Sequence, residues 1–335
     1  MTVLRAGILG LGQMGRNHVR VYRELGGVDL VAVCDVAGDP DGVASDVPVV
    51  QSVEELITFG LDICVVAVPT ASHVGVGMQL AHAGVHSMIE KPLAHDLASA
   101  DQLIAGFDKA GLIGCVGHVE RYNPAIRAMR DRMAQGQLGS VFQISTRRQG
   151  PFVGRVQDVG VVKDLGTHDI DLAMWLVGEP ITAVSARTAH RMGREHEDLA
   201  AITSRFGDGV VGNHLVNWIS PFKERLTYVT GENGCLVADT VTADLTYWAN
   251  GESSSDWAAL RHTRGMQEGD VIRYAIPKPE PIVAEAEAFR DAVLGNGTDI
   301  VTLAEGRAVL EVAEACLRSA ELGMTVDVVQ TTAGS

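Results

Sequence analysis

The sequence has no stretch of 18 consecutive apolar residues, the minimum expected of a membrane-spanning helix. Its first residues, MTVLRAGILGLG, run from an apolar segment into glycines and not into a cleavage site of the signal-peptide type. We therefore interpret this segment as a first β-strand, expect no membrane partner and predict a cytoplasmic location.

Cysteines are few, and none of them form a CxxC pair. The five are Cys34, Cys64, Cys115, Cys235 and Cys316. This spacing provides neither a disulfide framework nor a zinc-ligand pattern, and it is typical of a reducing compartment. His190, His196 and His214 also lack metal-ligand spacing to Cys or Glu. We predict no metal site.

Positive charge is in deficit, with 27 Lys and Arg against 42 Asp and Glu and a formal net charge of -15. Nucleic-acid binding needs clustered Lys and Arg to neutralise phosphates, so we expect no nucleic-acid partner. The 335 residues, 46% of them hydrophobic, are enough for two domains with separate cores.

Short apolar runs alternate with helical patterns in the first 120 residues. Strands are predicted at 4–10, 28–35, 62–69, 86–90 and 113–118, and helices at 14–25, 53–57, 72–83 and 97–110. This alternation predicts an α/β fold of the Rossmann type, a doubly wound parallel sheet with helices on both faces.

The pattern changes after residue 120 to alternating strands separated by glycine-containing turns. Strands are predicted at 141–148, 181–189, 200–206, 210–219 and 225–231, and helices at 123–135, 166–177, 281–294 and 303–322. They predict an α+β domain with an open, mostly antiparallel sheet. The expected domains are 1–120 for the cofactor, 121–330 for substrate binding and oligomerisation, and a disordered tail at 331–335.

A GxGxxG motif, residues 10–15, follows the first predicted strand and opens a helix. Gly10 permits a tight turn, Gly12 lets a pyrophosphate approach the backbone, and Gly15 lets helix and strand pack closely. Gln13 and Met14 lie in the same loop. The motif predicts a dinucleotide site.

Asp35 ends the second predicted strand, 20 residues after Gly15. A carboxylate there accepts hydrogen bonds from the adenosine ribose and repels a 2′-phosphate, so it favours NAD over NADP. No Arg or Lys follows in residues 36–39. The alternative is an ordinary residue at the end of a strand.

Further motifs extend along the chain: AVPTASH (67–73), EKP (90–92), GHVERYNP (117–124), KDLGTHDIDL (163–172) and a closing helix, residues 311–328. In this order they resemble the Gfo/Idh/MocA oxidoreductases. Residues 117–126 and 147–172 are most similar to nucleotide-sugar 3-dehydrogenases of that family, such as those for UDP-N-acetylglucosamine. The resemblance implies an NAD-dependent dehydrogenase.

Alcohol oxidation by NAD⁺ needs a base for the hydroxyl proton and a group that stabilises the developing oxyanion. Lys91 follows Glu90 at the carboxyl end of a predicted parallel strand, where such sheets bind ligands, so both residues are candidate cofactor contacts. The resemblance implies that Lys91 hydrogen-bonds the reacting hydroxyl, next to the cofactor. The Lys91–Pro92 bond is a candidate for the cis form.

Asp164, His168 and Asp171 are spaced four and three residues apart. On a helix that begins near residue 165, His168 and Asp171 share a face, and Asp164 is placed at the N-cap. Imidazole titrates near neutrality and therefore suits a general base. The resemblance implies catalytic roles for Asp164 and His168. The division of labour between Lys91 and His168 stays open, because a tyrosine used by some family members is missing here.

Other candidates flank these motifs. Pro69, Thr70 and His73 are expected near the adenosine and phosphates, although His73 also suits a solvated helix start. Glu120, Arg121 and Tyr122 are candidate substrate contacts, with a salt-bridged hinge as the alternative, and Asn123 is a candidate nicotinamide contact. Arg147, Arg148 and Arg155 suit a substrate diphosphate, or are solvated strand charges.

We therefore predict an NAD-dependent dehydrogenase that oxidises a sugar-ring hydroxyl, at C3 of a nucleotide sugar such as UDP-N-acetylglucosamine. The alternatives are an inositol or free-sugar dehydrogenase or ketoreductase, and a non-catalytic NAD-binding regulatory protein. An exposed sheet face and the resemblance both favour a homodimer or homotetramer.

Overall fold

Strand–helix alternation produces a six-stranded sheet in the N-terminal part of the computed structural model, which describes residues 3–152, 154, 159–251 and 268–328. The strands are β1 (Leu4–Leu9), β2 (Val28–Cys34), β3 (Val49–Val50), β4 (Ile63–Val66), β5 (His86–Glu90) and β6 (Gly114–Gly117). All pairs are parallel, in the order β3-β2-β1-β4-β5-β6. The helices are α1 (Gln13–Glu24), α2 (Val53–Ile57), α3 (His73–His82) and α4 (Leu97–Ala110).

This first sheet is buried on both faces, as its continuous apolar strands predict. In β4, Ile63 and Val65 join a core cluster with residues of α1, whereas Cys64 and Val66 join a cluster with residues of α3 and α4. The predicted Rossmann fold is confirmed.

The following residues form a mixed sheet of nine strands. Its strands are β7 (Val141–Pro151), β8 (Ile181–Ala189), β9 (Leu199–Phe206), β10 (Val211–Asn217), β11 (Ile219–Gly231), β12 (Gly234–Asp239), β13 (Asp244–Asn250), β14 (Glu268–Tyr274) and β15 (Val326–Asp327). The order is β14-β13-β12-β11-β7-β10-β9-β8-β15, and β7 and β10 are the only parallel pair among the described strands of this second sheet. Helices α5 (Pro124–Ala134) and α6 (Thr167–Val177) contact one face of this sheet. The predicted open, mostly antiparallel sheet is confirmed.

Helices α7 (Pro281–Val293) and α8 (Leu303–Leu322) lie between β14 and β15. Residues 1–119 and 280–311 form one compact unit, and residues 120–279 and 312–335 form the other. Ile282, Ala286 and Phe289 of α7 belong to the core cluster of β1 and α1. The predicted second domain, 121–330, included α7 and the start of α8, because a single boundary along the chain does not foresee that the chain returns to the first unit.

No helix among the described residues is both long and apolar enough to cross a membrane. The predicted disordered tail, 331–335, lies outside the described residues.

Candidate active site

Each glycine of the 10–15 loop has a separate physical role. Gly10 has φ +94°, and an added Cβ would lie 2.5 Å from the carbonyl oxygen of Ala67. A Cβ on Gly15 would lie 1.8 Å from the carbonyl oxygen of Gly10, so this close approach of helix and loop admits only glycine. A Cβ on Gly12 would have no described heavy atom within 4 Å, which leaves open space beside the backbone.

Helix α1 begins directly at this open space. Gly12 is its N-cap, and no described side chain caps the first turn, which contains Gln13 and Met14. Uncapped N–H groups and the positive end of the helix dipole suit an anion. The loop and helix therefore fit the pyrophosphate of a dinucleotide.

Asp35, half-buried at the end of β2, accepts hydrogen bonds from two backbone amides. Its Oδ2 accepts from Leu11 N at 2.7 Å, and its Oδ1 accepts from Ala37 N at 2.9 Å. The carboxylate thus fixes the glycine loop to the end of the neighbouring strand, a role additional to the predicted ribose contact.

His73 opens α3 but lies inside the unit, with 1% exposure. Its Nε2 is 2.9 Å from the carbonyl oxygen of Val68, and its Nδ1 is 3.1 Å from that of Pro92. Burial lowers the pKa of His73, although the backbone carbonyls and Glu90 oppose this shift. The buried imidazole supports the loops at 68 and 92, which corrects the expectation of a cofactor contact or a solvated residue. Pro69 is exposed and Thr70 is buried.

Lys91 follows the buried end of β5, and its bond to Pro92 is cis. Glu90, expected at the cofactor, is buried instead: its Oε1 is 2.9 Å from His18 Nε2, and its Oε2 accepts from Lys91 N at 3.3 Å. Burial acts to raise the pKa of Glu90, but the hydrogen bond and charge of His18, together with Lys91, outweigh it and lower the pKa. Lys91 is half-buried.

In the second unit, Arg121 and Asp171 form a buried bidentate pair. Arg121 Nε donates to Asp171 Oδ2 at 2.9 Å, and Arg121 Nη2 donates to Asp171 Oδ1 at 2.6 Å. Tyr122 is buried, 4.7 Å from its ring centroid to the Arg127 guanidinium carbon. Arg121 thus forms its salt bridge with Asp171 and not with the neighbouring Glu120, and Asp171 is an internal partner of Arg121.

Asn123 caps α5. Its Oδ1 accepts from Ala125 N at 3.0 Å, and its Nδ2 donates to the carbonyl oxygen of Thr240 at 3.0 Å. The side chain is 5% exposed, and both ends of its amide are used within the second unit. Asn123 therefore has a helix-capping role within the second unit.

Arg148 is buried and engaged by two carboxylates. Its Nε donates to Asp169 Oδ1 at 2.7 Å, and its Nη1 donates to Glu120 Oε1 at 2.9 Å. Burial acts to lower the pKa of Arg148, but Glu120 and Asp169 raise it strongly. Arg148 and Glu120 thus form an internal network, and their expected contact with substrate loses its support.

Two cations that were not among the predicted site residues lie beside this network. Arg225 Nη1 donates to Glu120 Oε1 at 3.0 Å, and burial followed by the charge of Arg148 lowers the pKa of Arg225. Lys223 is exposed, has no hydrogen bond or ion pair among the described residues, and has its pKa lowered chiefly by Arg225. Their spacing of two residues in a predicted strand region places both side chains on one face of the sheet, and this spacing could have identified them from the sequence. We call Lys223 and Arg225 the cation pair.

The remaining predicted arginines do not join the cation pair. Arg147 is exposed and, because it directly precedes Arg148 in β7, its side chain lies on the other face of the sheet. Its Nε is 3.8 Å from Oε2 of Glu224. Arg155 lies outside the described residues.

Asp164 lies in a π-helical turn, Val162–Gly166, that continues into α6, and not at the predicted N-cap. Two contacts hold this turn: Glu197 Oε1 accepts from Val162 N at 3.0 Å, and Thr167 Oγ1 donates to the carbonyl oxygen of Lys163 at 2.9 Å. Asp164 and His168 are both half-buried. π-helical turns inside helices are frequent at functional sites.

Comparison with known proteins identifies both halves of the chain. Residues 4–118 match the model of the oxidoreductase family with an NAD-binding Rossmann fold, and residues 126–237 match the GFO/IDH/MocA C-terminal domain.

Individual relatives differ in substrate. The UDP-N-acetylglucosamine 3-dehydrogenase of Acidithiobacillus ferrooxidans is 26% identical over 317 residues, 93% of this chain and 96% of that protein. Its solved structure has a TM-score of 0.81 and covers 96% of this chain and 99% of its own. The scyllo-inositol 2-dehydrogenase (NAD(+)) of Bacillus subtilis is 27% identical over 339 residues, 96% of each chain.

A solved complex supports the cofactor. GenD2 from gentamicin A biosynthesis, in complex with NAD, is 26% identical with a TM-score of 0.81, covering 98% of this chain and 97% of its own. The glycine loop and α1 fit that cofactor, so NAD is the cofactor of this chain, which is an oxidoreductase acting on sugar-type hydroxyl groups. The chain belongs to the Gfo/Idh/MocA family of NAD-dependent oxidoreductases.

Proposed function

We propose that this protein oxidises a ring hydroxyl of a nucleotide sugar, at C3 of UDP-N-acetylglucosamine or a close analogue, to a 3-keto sugar. The loop at residues 10–15 and Asp35 would hold NAD⁺, which would supply the hydride acceptor for the carbinol carbon. His168 takes the hydroxyl proton, and Lys91 donates a hydrogen bond to the oxygen as it gains negative charge. Asp164, which precedes His168 by four residues, binds a substrate hydroxyl or orients the base.

The cation pair is the observation that favours a nucleotide sugar over an inositol or a free sugar as the substrate. Arg225 shares Glu120 with Arg148, and Lys223 has no ion pair among the described residues. The charge of Asp164 also acts on Arg225, which relates the cation pair to the predicted catalytic carboxylate. Because Arg148 and Arg225 share one carboxylate and Lys223 has no described ion pair, these cations leave an excess of positive charge. Excess positive charge at a substrate site favours an anionic ligand, and the diphosphate of a nucleotide sugar supplies that negative charge.

A substrate panel, with NADH formation followed by absorbance, tests this proposal. We expect turnover of UDP-N-acetylglucosamine or a related UDP-sugar and none of myo-inositol, scyllo-inositol or glucose. Turnover of the uncharged compounds alone would support the inositol or free-sugar alternative and overturn the nucleotide-sugar proposal.

The cation pair is tested by Lys223→Ala, with Arg147→Ala as the matched control on the other face of the sheet. We expect Lys223→Ala to raise the KM for the UDP-sugar about tenfold, because a charge-assisted contact is lost, while the KM for NAD is unchanged. Arg147→Ala is expected to change neither value. Equal KM values in both variants would remove the support for an anionic substrate.

The catalytic roles are tested by Lys91→Ala and His168→Ala. We expect each to lower kcat by at least about 100-fold, because each removes a group that acts on the reacting hydroxyl. NADH binding, measured by fluorescence titration, is expected to persist. Unchanged kcat in both variants would refute the mechanism, and no turnover of any substrate by the wild type would favour a regulatory protein.

We also propose a homodimer or homotetramer that uses the open face of the second sheet. Val211 and Trp248 are exposed in one register row of that face, 46% and 42% respectively, opposite the face that contacts α5 and α6. A second copy would remove this apolar surface from water. Light scattering is expected to give at least a dimer, and Trp248→Glu to weaken it. A monomeric wild type would exclude the proposal.

A further inference from the structure

A buried histidine on the cofactor helix contacts the residue before Lys91. His18 lies on α1, three residues after the last glycine of the loop, and is 0% exposed. Its Nε2 is 2.9 Å from Oε1 of Glu90, the last residue of β5, which is 7% exposed. This pair connects the helix at the pyrophosphate site with the strand that presents Lys91.

The chemistry of the two groups determines the direction of the hydrogen bond. An ionised carboxylate only accepts, so the Nε2–H of His18 donates to Oε1 of Glu90. The other carboxylate oxygen, Oε2, accepts from the backbone amide of Lys91 at 3.3 Å. Both oxygens of Glu90 therefore have a donor, one from α1 and one from the residue that we assign to catalysis.

Packing restricts the carboxylate to this position. Gly117 of β6 lies alongside, and a Cβ added there would be 3.2 Å from Oε2 of Glu90. The ring of Tyr22, one turn further along α1, contacts His18 edge-on with centroids 6.2 Å apart. Because the carboxylate is enclosed in this way, it keeps the Lys91 amide, which donates to it, in one position.

We propose that His18 and Glu90 are a positioning pair: His18 holds the Glu90 carboxylate, and Glu90 holds the backbone of Lys91 so that its ammonium group meets the substrate hydroxyl. The inference rests on the proposed catalytic role of Lys91. His18 and Glu90 do not touch the reacting atoms themselves. Their contribution is to the geometry at the moment of reaction and not to the strength of cofactor binding.

The test compares His18→Leu, which removes the donor, with His18→Gln, which restores an N–H donor. His86→Gln is the matched control, because His86 begins the same strand, β5, and its Nδ1 accepts from the Ile113 amide. With UDP-N-acetylglucosamine and NAD, we expect His18→Leu to lower kcat about 30-fold with the KM for NAD within about threefold. His18→Gln is expected to recover most of kcat, and His86→Gln to lower only the melting temperature.

A second measurement needs neither substrate nor cofactor. Hydrogen exchange of the Lys91 amide is expected to be about tenfold faster in His18→Leu than in the wild type, and unchanged in His86→Gln. If His18→Leu does not fold, Glu90→Ala replaces it; this variant removes both carboxylate acceptors and is expected to give the same two changes. Wild-type kcat, or unchanged exchange of the Lys91 amide, in a folded variant would overturn the positioning role.

The two proposals fail in different ways. If Lys91→Ala keeps its turnover, the catalytic role of Lys91 is lost and the positioning role goes with it. If Lys91→Ala is inactive while His18→Leu turns over normally, only the positioning pair is wrong.

Discussion

Arg148 and Arg225 lie opposite each other on β7 and β11, and both donate to the same oxygen of Glu120, at 2.9 and 3.0 Å. Two guanidinium groups that contact the same carboxylate oxygen would repel each other if that carboxylate were absent. Glu120 thus reduces the repulsion between the two arginines. Their remaining positive charge also acts on Lys223 and lowers its pKa.

Glu120→Gln is expected to lower the free energy of unfolding by about 3 kcal/mol, because it leaves buried Arg148 with one fewer charged partner beside Arg225. Urea denaturation measures the change. Arg147→Gln is the control, because Arg147 is exposed and directly precedes Arg148. Its free energy of unfolding is expected to stay within about 0.5 kcal/mol of the wild-type value. Equal stability of both variants would contradict the role of Glu120.

Gly12→Ala and Gly15→Ala are expected to separate cofactor binding from folding. The methyl group of Gly12→Ala meets no described atom, so stability should change by less than about 1 kcal/mol while the Kd for NADH rises about tenfold or more. The methyl group of Gly15→Ala meets the Gly10 carbonyl, so this variant should unfold more easily. Thermal unfolding and NADH fluorescence measure the two effects, and unchanged NADH affinity of Gly12→Ala would argue against the loop as the pyrophosphate site.

We expect the wild type to prefer NAD over NADP roughly 100-fold, because the Asp35 carboxylate repels a 2′-phosphate. Asp35→Ser removes this charge and is expected to reduce the preference. It should also weaken NAD binding, since Leu11 N loses its acceptor. Asp39→Ser is a matched control, because Asp39 likewise accepts from two backbone amides, Val43 N and Ala44 N. An equal change of cofactor preference in both variants would mean that the effect is only structural.

The stability of the second sheet is expected to depend on pH through His214. Burial lowers the pKa of His214 to about 4, and its ring lies between the hydroxyls of Thr146 and Ser204. From pH 7 to pH 5 the unfolded chain takes up a proton that the folded chain refuses, so His214 alone should cost about 2 kcal/mol of stability. The loss should end near pH 4, where the folded state also protonates.

His214→Gln removes this titration while retaining a polar side chain between the two hydroxyls. Its stability should therefore fall about 2 kcal/mol less than that of the wild type between pH 7 and pH 5. The comparison uses urea denaturation at both pH values. Parallel pH profiles of the two proteins would show that His214 is not the group responsible.

The sequence by itself determined the features that depend on local spacing. Strand–helix alternation predicts the parallel sheet, because continuous apolar runs need cover on both faces. The glycine spacing at 10–15 predicts the cofactor loop, because Gly10 and Gly15 lie where a Cβ would meet backbone. The ordered motifs were likewise sufficient for the family and for NAD.

Only the tertiary structure decided which charged groups meet. His18 and Glu90 are 72 residues apart, and Glu120 and Arg225 are 105 residues apart. The π-helical turn at Asp164 depends on Glu197, which comes 35 residues after its partner Val162. Periodicity along one chain states which face a residue occupies but not which residue lies opposite, because sheet order and chain return set those partners.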